Sequence, residues 1–300
     1  MIGLLSAITG WLLFAALVIT LGSLVARWIL IPRATPDDPA TAAWLRSAAG
    51  RLGLWGSGLL ALALALVFCR QLLEFRDPFV PWSEEAHLLL TGTAWGTTWL
   101  WGAAASVSAV VVFSLVRAGV ATAWWSATAL VLFLGAFPGL TGHAASTEEL
   151  RALTLSADAL HVYAAGSWVG GLAFVLHAER AWRVQGRAGS LLPMLVPVFS
   201  PVAIACVAVL ASTGGLAAWV QLDGIGDLFS TTYGRLLTLK LAIVAGVLGL
   251  GWVSWKRLTP RLGEASGAHA LRRNAMFELL TAGAVLLVTA ILVHTSPLGH

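Results

Sequence analysis

Asp158 and His161 stand three residues apart at the start of an apolar run, DALHVYAAGSWVGGLAFVLH, that is long enough to cross a bilayer. On a helix an i,i+3 pair shares a face, so a carboxylate and an imidazole are offered together. Two further imidazoles fall at comparable places. His143 lies in GLTGHAAS, just after Pro138 and Gly139 close the preceding apolar run, and His294 lies in VHTSP at the end of the last one. Imidazole suits copper, zinc, iron and nickel, whereas thioether and thiolate favour Cu(I). Only Met1, Met194 and Met276 are present, none in an expected outer loop. A metal site here is therefore histidine-based, with His143, His161 and His294 as candidate ligands. Asp158 is either a further ligand or the group that orients His161. A lone histidine at a membrane edge is ordinarily an amphipathic rim residue, and His87 and His300 are read that way.

Three polar residues fall inside other apolar runs: Lys240 in YGRLLTLKLAIV, and Asn274 and Glu278 in RRNAMFELL. Lys240 and Glu278 are each expected about 10 Å from the end of their helix. A charge at the bilayer centre costs on the order of 3 kcal/mol on insertion scales, so both are expected to face the bundle. Lys240 has the length to snorkel outward instead. Glu278 is shorter. It pairs with Asn274 or a neighbouring helix as a structural carboxylate, or it serves with Lys240 and Asn274 on a polar path for a proton or ion.

The elements that position these groups follow from composition. Of 300 residues, 58% are hydrophobic and 11% charged, against roughly 25% charged in a soluble domain. So much apolar surface requires lipid as solvent. Lipid leaves only helices or closed barrels, because backbone groups there must be satisfied internally. The runs are continuous rather than alternating, so the fold class is all-α, a polytopic helical bundle forming one integral membrane domain over 1–300. Eight spans are expected, at about 8–31, 52–75, 93–116, 120–139, 156–178, 195–219, 233–254 and 272–294. The leader MIGLLSAI carries no positive charge and its apolar run exceeds an h-region, so the first span is expected to be retained.

With the N-terminus outside, 13 of the 18 Lys and Arg residues fall on inner segments, and nine of the fourteen acids fall outside. Lysine and arginine set orientation, so N-out, C-out is expected. Gly166 and Gly170 form a small-xxx-small pair that admits a close neighbour, and Thr213, Gly214 and Gly215 offer the same in the sixth span. Trp44, Trp82 and Trp219 are placed at interfaces, and Trp101 and Trp168 in packing. Cys69 and Cys206, far apart, are read as packing residues without a disulfide. The net charge of +4 is spread over short loops, with no polybasic run, and no nucleic-acid partner is expected.

These strings resemble a known family. TGHAAS followed by DALHVYAAGSWVGGL is similar to the copper resistance protein D (CopD) family of bacterial inner-membrane proteins. FSPVAIACVAVLASTGGLAAW, TTYGRLLTLKLAIV and RRNAMFELLTAG continue the pattern. The string His161, Trp168, Gly170, Gly171 is moderately specific, and the resemblance covers most of the chain from about residue 90 and, more loosely, the first two helices. It implies copper handling, with copper moved across the inner membrane, and a separate periplasmic copper-binding partner of the CopC type. It also implies His143 and His161 as copper ligands. No nucleotide-binding motif is seen, so direct ATP coupling is not expected, and the resemblance implies a carrier rather than an enzyme. Two other readings stand beside it. One is a haem-b electron-transfer protein, with His161 and His143 or His294 as axial ligands. The other is a scaffold for assembly of a copper enzyme, without transport.

Overall fold

The structure is a computed structural model that describes residues 2–141, 151–222, 224–262 and 264–295. Every regular element among them is helical. The first helix, α1 (Ile2–Val25), runs into a π turn at Ala26–Leu30 and ends after Ile31–Ala34, where Thr35 closes the turn. Next, α2 (Pro39–Glu74) begins well before the expected boundary at residue 52. Its start is local chemistry: Pro39 opens the first turn and the Asp38 carboxylate accepts from the Thr41 N–H at 2.9 Å. A helix that the sequence reading did not anticipate, α3 (Trp82–Thr91), fills the following connection, with Glu84 and Glu85 in its first turn.

The remaining helices follow the expected order. They are α4 (Ala94–Arg117), α5 (Ala123–Thr141), α6 (Arg151–Ala165) and α7 (Gly171–Val184), the last two joined by a π turn at Gly166–Gly170. Then come α8 (Leu192–Gln221), α9 (Thr232–Val253) with a π turn at Ser254–Leu258, and α10 (Ala265–Leu292). Thr93 and Thr231 cap α4 and α9 by accepting from Gly96 and Gly234 N–H groups, both at 2.9 Å. Among the described residues, seven helical stretches are long and apolar enough to cross a membrane. The expected span at 120–139 coincides with a shorter apolar helix, Ala123–Gly139. The protein is an all-α polytopic membrane bundle.

At the centre of the packing, α1 lies against α2, against the Gly166–Gly170 turn and against α10. The α1 crossing is made by glycines. A Cβ on Gly22 would fall onto the Gly170 carbonyl, and a Cβ on Gly170 would fall onto that of Val18. Gly166 lies against Leu21. The Gly166–Gly170 pair thus does admit a close neighbour, and the neighbour is α1. Around this crossing, Leu17, Leu30, Leu45, Leu60, Phe113, Phe174 and Leu195 are fully buried. The chain then winds outward, α2 against α4, α4 against α5, α5 against α6 and α6 against α8. Helix α9 leans chiefly on α10, and only 6% of its apolar window is buried. Two expectations of packing fail. Trp101 is 67% exposed and Cys69 is exposed, because both sit on outward helix faces. Trp168 and Cys206 do pack inward.

Candidate functional site

Helix α6 carries His161 ten residues after its start at Arg151, about 15 Å along the axis. This is deeper than the single turn expected, since the helix begins before residue 156. The imidazole Nδ1 lies 2.9 Å from Thr213 Oγ1 on α8. Thr213 has one hydroxyl hydrogen, and it goes to the Val209 carbonyl at 2.8 Å. The threonine oxygen therefore accepts from His161, which fixes the Nδ1–H tautomer and leaves the Nε2 lone pair uncommitted. Gly214 makes room for the ring, with His161 Cε1 3.7 Å from where a Cβ would stand. The group that orients His161 is thus Thr213, which sequence reading treated only as a small packing residue.

Asp158 turns to the other neighbour of α6. Its Oδ2 lies 2.9 Å from the position a Cβ would take on Gly139 of α5, so a side chain there would push the carboxylate aside. Lys240 reaches in from α9, close enough to act electrostatically on both Asp158 and His161. A carboxylate, an imidazole and an ammonium therefore lie within electrostatic reach of one another. His294 stands apart, just beyond the end of α10 and beside Gly10 of α1. Its Nδ1 is 2.8 Å from the Ala290 carbonyl, which can only accept, so again Nδ1 carries the hydrogen and Nε2 is left to act as an acceptor. His294 and His161 are therefore alike in tautomer but not level in their helices. Among the described residues no three His, Cys, Asp or Glu side chains gather closely enough to hold one ion. His143 and His300 lie outside the described residues. His87 is exposed on α3.

A second polar cluster lies midway along α10. Glu278 is 4% exposed. Its Oε1 accepts from Ser254 Oγ at 2.6 Å and from Asn274 Nδ2 at 3.1 Å. Asn274 Nδ2 also reaches Ser254 Oγ at 2.7 Å and the Leu250 carbonyl at 2.9 Å. Sequence reading paired Glu278 with Asn274 by helical spacing, but Ser254 came from another helix and carried no signal of its own. A third group went unnoticed. Glu179 on α7 is 1% exposed and binds Arg272 of α10 at 2.8 Å, Ser190 Oγ at 3.0 Å and the Leu191 N–H at 2.8 Å. It ties α7, the start of α8 and α10 together.

Long apolar helices that hold paired and hydrogen-bonded ionisable groups inside the bundle define a multi-pass integral membrane protein. Comparison with known proteins narrows this. Residues 193–292, the segment of α8, α9 and α10, match the model of the copper resistance protein D family. It is 28% identical over 253 residues to copper resistance protein D of Pseudomonas syringae pv. tomato, an alignment that covers 78% of each chain. It is 31% identical over 205 residues to the copper transport protein CutJ of Bacillus subtilis (strain 168), covering 66% of this chain and 36% of that protein. The chain thus spans about a third of the length of the Bacillus relative. No solved structure matches it.

Proposed function

We infer that this chain carries copper across the bacterial inner membrane, inward, in an N-out, C-out orientation. Copper is its cargo, and a periplasmic copper-binding protein of the CopC type delivers it. The observation that carries this reading is the His161 imidazole, held by Thr213 so that Nε2 offers its lone pair inside the bundle. An imidazole oriented by a hydrogen bond from its other nitrogen is the usual form of a metal-ligating histidine. Asp158, one turn before it, is an oxygen donor, and His143, which follows α5 in the sequence, is the second nitrogen donor. His294 offers a separate stopping point nearer the mouth. From there the polar path runs by Lys240 to Asn274 and Glu278. Lys240 keeps the empty site near neutral, so an arriving cation has an ammonium to displace. The names of the relatives, copper resistance and copper transport, support copper over the other metals that imidazole accepts.

The test is copper uptake into vesicles containing the purified protein. Wild-type protein accumulates copper above protein-free vesicles, and His161→Ala does not. Equal uptake with and without wild-type protein rejects transport and favours the assembly scaffold.

A further inference from the structure

The polar path leaves open what drives the movement, and the cluster around Glu278 bears on this. Its hydrogen count is unusual. Asn274 Nδ2 stands within hydrogen-bond distance of three oxygens, Leu250 O at 2.9 Å, Ser254 Oγ at 2.7 Å and Glu278 Oε1 at 3.1 Å, but it has two hydrogens to give. With one hydrogen committed to the Leu250 carbonyl, the other is shared between the serine and the carboxylate. The Ser254 hydroxyl gives its single hydrogen to Glu278 Oε1 at 2.6 Å, the length of a charge-assisted bond. Glu278 Oε2 faces Gly251, 3.9 Å from the point where a Cβ would be. Helix α9 passes into its π turn at Ser254, and π turns inside helices are frequent at functional sites.

No basic group is in ion-pair distance of Glu278 among the described residues. The charged groups on the elements packed around it are engaged elsewhere or exposed. Arg272 is bound by Glu179. Lys256 lies over the Trp255 ring and Arg257 over Trp252. On the α1 side, Arg27 lies over Trp28 and Trp124, and Arg33 donates to the Ile29 carbonyl. Arg51 acts electrostatically on His177 of α7, and Asp158 on Lys240. Arg180, Arg183, Arg261, His269 and Arg273 are exposed. A lone carboxylate in this setting has two ways to settle its charge: a bound cation or a proton. The asparagine presents its NH₂ group and the serine its hydroxyl hydrogen, so both neighbours meet an anion as donors. A metal or sodium ion on the carboxylate would find no further ligand in either neighbour, because both present hydrogens. A proton on Oε2 needs no further ligand, and protonation would let the shared Asn274 hydrogen move from Glu278 to Ser254.

We propose that Glu278, Ser254 and Asn274 form a proton-binding site that couples copper movement to the proton gradient, with copper itself bound elsewhere on the path. In the loading step Oε2 takes a proton from a hydronium ion: one hydronium O–H bond breaks, one O–H bond forms on Oε2, water is left and the carboxylate becomes a neutral acid. In the release step the Oε2–H bond breaks heterolytically and a water on the side of the other face accepts the proton, with no electron transferred. Coupling rests on the transport reading above, but proton binding does not.

Two measurements separate them. The first is an infrared difference titration of the purified protein in nanodiscs, without copper. A protonated-carboxyl band should grow on acidification, vanish in Glu278→Gln and shift in Asn274→Ala and in Ser254→Ala. Identical spectra for wild type and Glu278→Gln overturn the proton site, whatever copper does. The second is copper accumulation in vesicles of phosphatidylethanolamine and phosphatidylglycerol with the membrane potential clamped. For one proton per ion, accumulation should change on the order of tenfold per unit of pH gradient, and Glu278→Gln should abolish that dependence. Accumulation that ignores the pH gradient in wild type, or that follows a sodium gradient, overturns coupling. If Glu278→Gln fails to fold, Asn274→Ala carries both measurements. If wild-type vesicles take up no copper while the carboxyl band titrates with Glu278, transport falls, and proton coupling with it, while the proton site stands.

Discussion

His161 Nδ1 on α6 sits 2.9 Å from Thr213 Oγ1 on α8, whose own hydrogen is spent on the Val209 carbonyl. Two residues that are 52 apart in sequence thereby set which nitrogen of the imidazole carries its hydrogen. The bond also links the family-matched segment, 193–292, to a histidine that precedes it.

Removing the acceptor should loosen the ligand without removing it. Thr213→Val is expected to weaken copper binding about 10- to 100-fold, the range found for partners that orient metal ligands. His161→Ala should lower the bound copper per protein while the variant still elutes as folded protein in detergent. Competition with a chelator of known affinity reads both, and unchanged affinity and stoichiometry in His161→Ala would remove that residue from the site.

Glu179 makes a severe structural prediction. It is buried, it is bound by Arg272, and breaking such a pair by deleting one partner costs about 3 kcal/mol or more. Glu179→Ala should lower the unfolding temperature of the detergent-solubilised protein sharply. Glu179→Gln, able to keep the Ser190 and Leu191 contacts in part, should lower it less. An apolar replacement of both partners, Glu179→Leu with Arg272→Met, should recover most of the loss. A double variant no better than Glu179→Ala would show that the hydrogen bonds to Ser190 and Leu191, rather than the ion pair, hold this corner.

The α1 crossing should be intolerant of side chains. Gly170→Val places atoms on the Val18 carbonyl and on Gly22, where overpacking of about 1–3 kcal/mol is the usual minimum cost. Thermal unfolding should show the drop. Gly215→Ala, at a glycine of α8 with nothing within 4 Å of its added Cβ, is the control and should be neutral.

The haem alternative is decided by one sample. Purified protein grown with copper should contain copper and show no Soret band. A Soret band with one haem per chain would reassign His161 to a porphyrin iron, and loss of the band in His161→Ala would seal that reading.

Orientation can be read by thiol labelling. With Cys69 and Cys206 replaced by serine, Ala188→Cys should be protected from an impermeant reagent in intact spheroplasts and Gly224→Cys should react. The reverse pattern would invert the topology and with it the proposed direction of movement.

The sequence alone determined the class of the molecule, because lipid as solvent permits few structures and long apolar runs with polar breaks specify helices. It also located the isolated polar residues, Asp158, His161, Lys240, Asn274 and Glu278, since each stands out against an apolar background. It could not reveal α3 or the early start of α2, which depend on Pro, Asp and Glu signals in segments read as connections. Partners were the larger gap. That His161 meets Thr213, that Glu278 meets Ser254 and that Glu179 meets Arg272 are facts about neighbouring helices. Helical spacing fixes which residues share a face but not which helix that face will meet. That choice was made by packing, through contacts such as Gly22 on Gly170, where the absence of side chains lets two backbones touch and sets the height at which every polar group finds its counterpart.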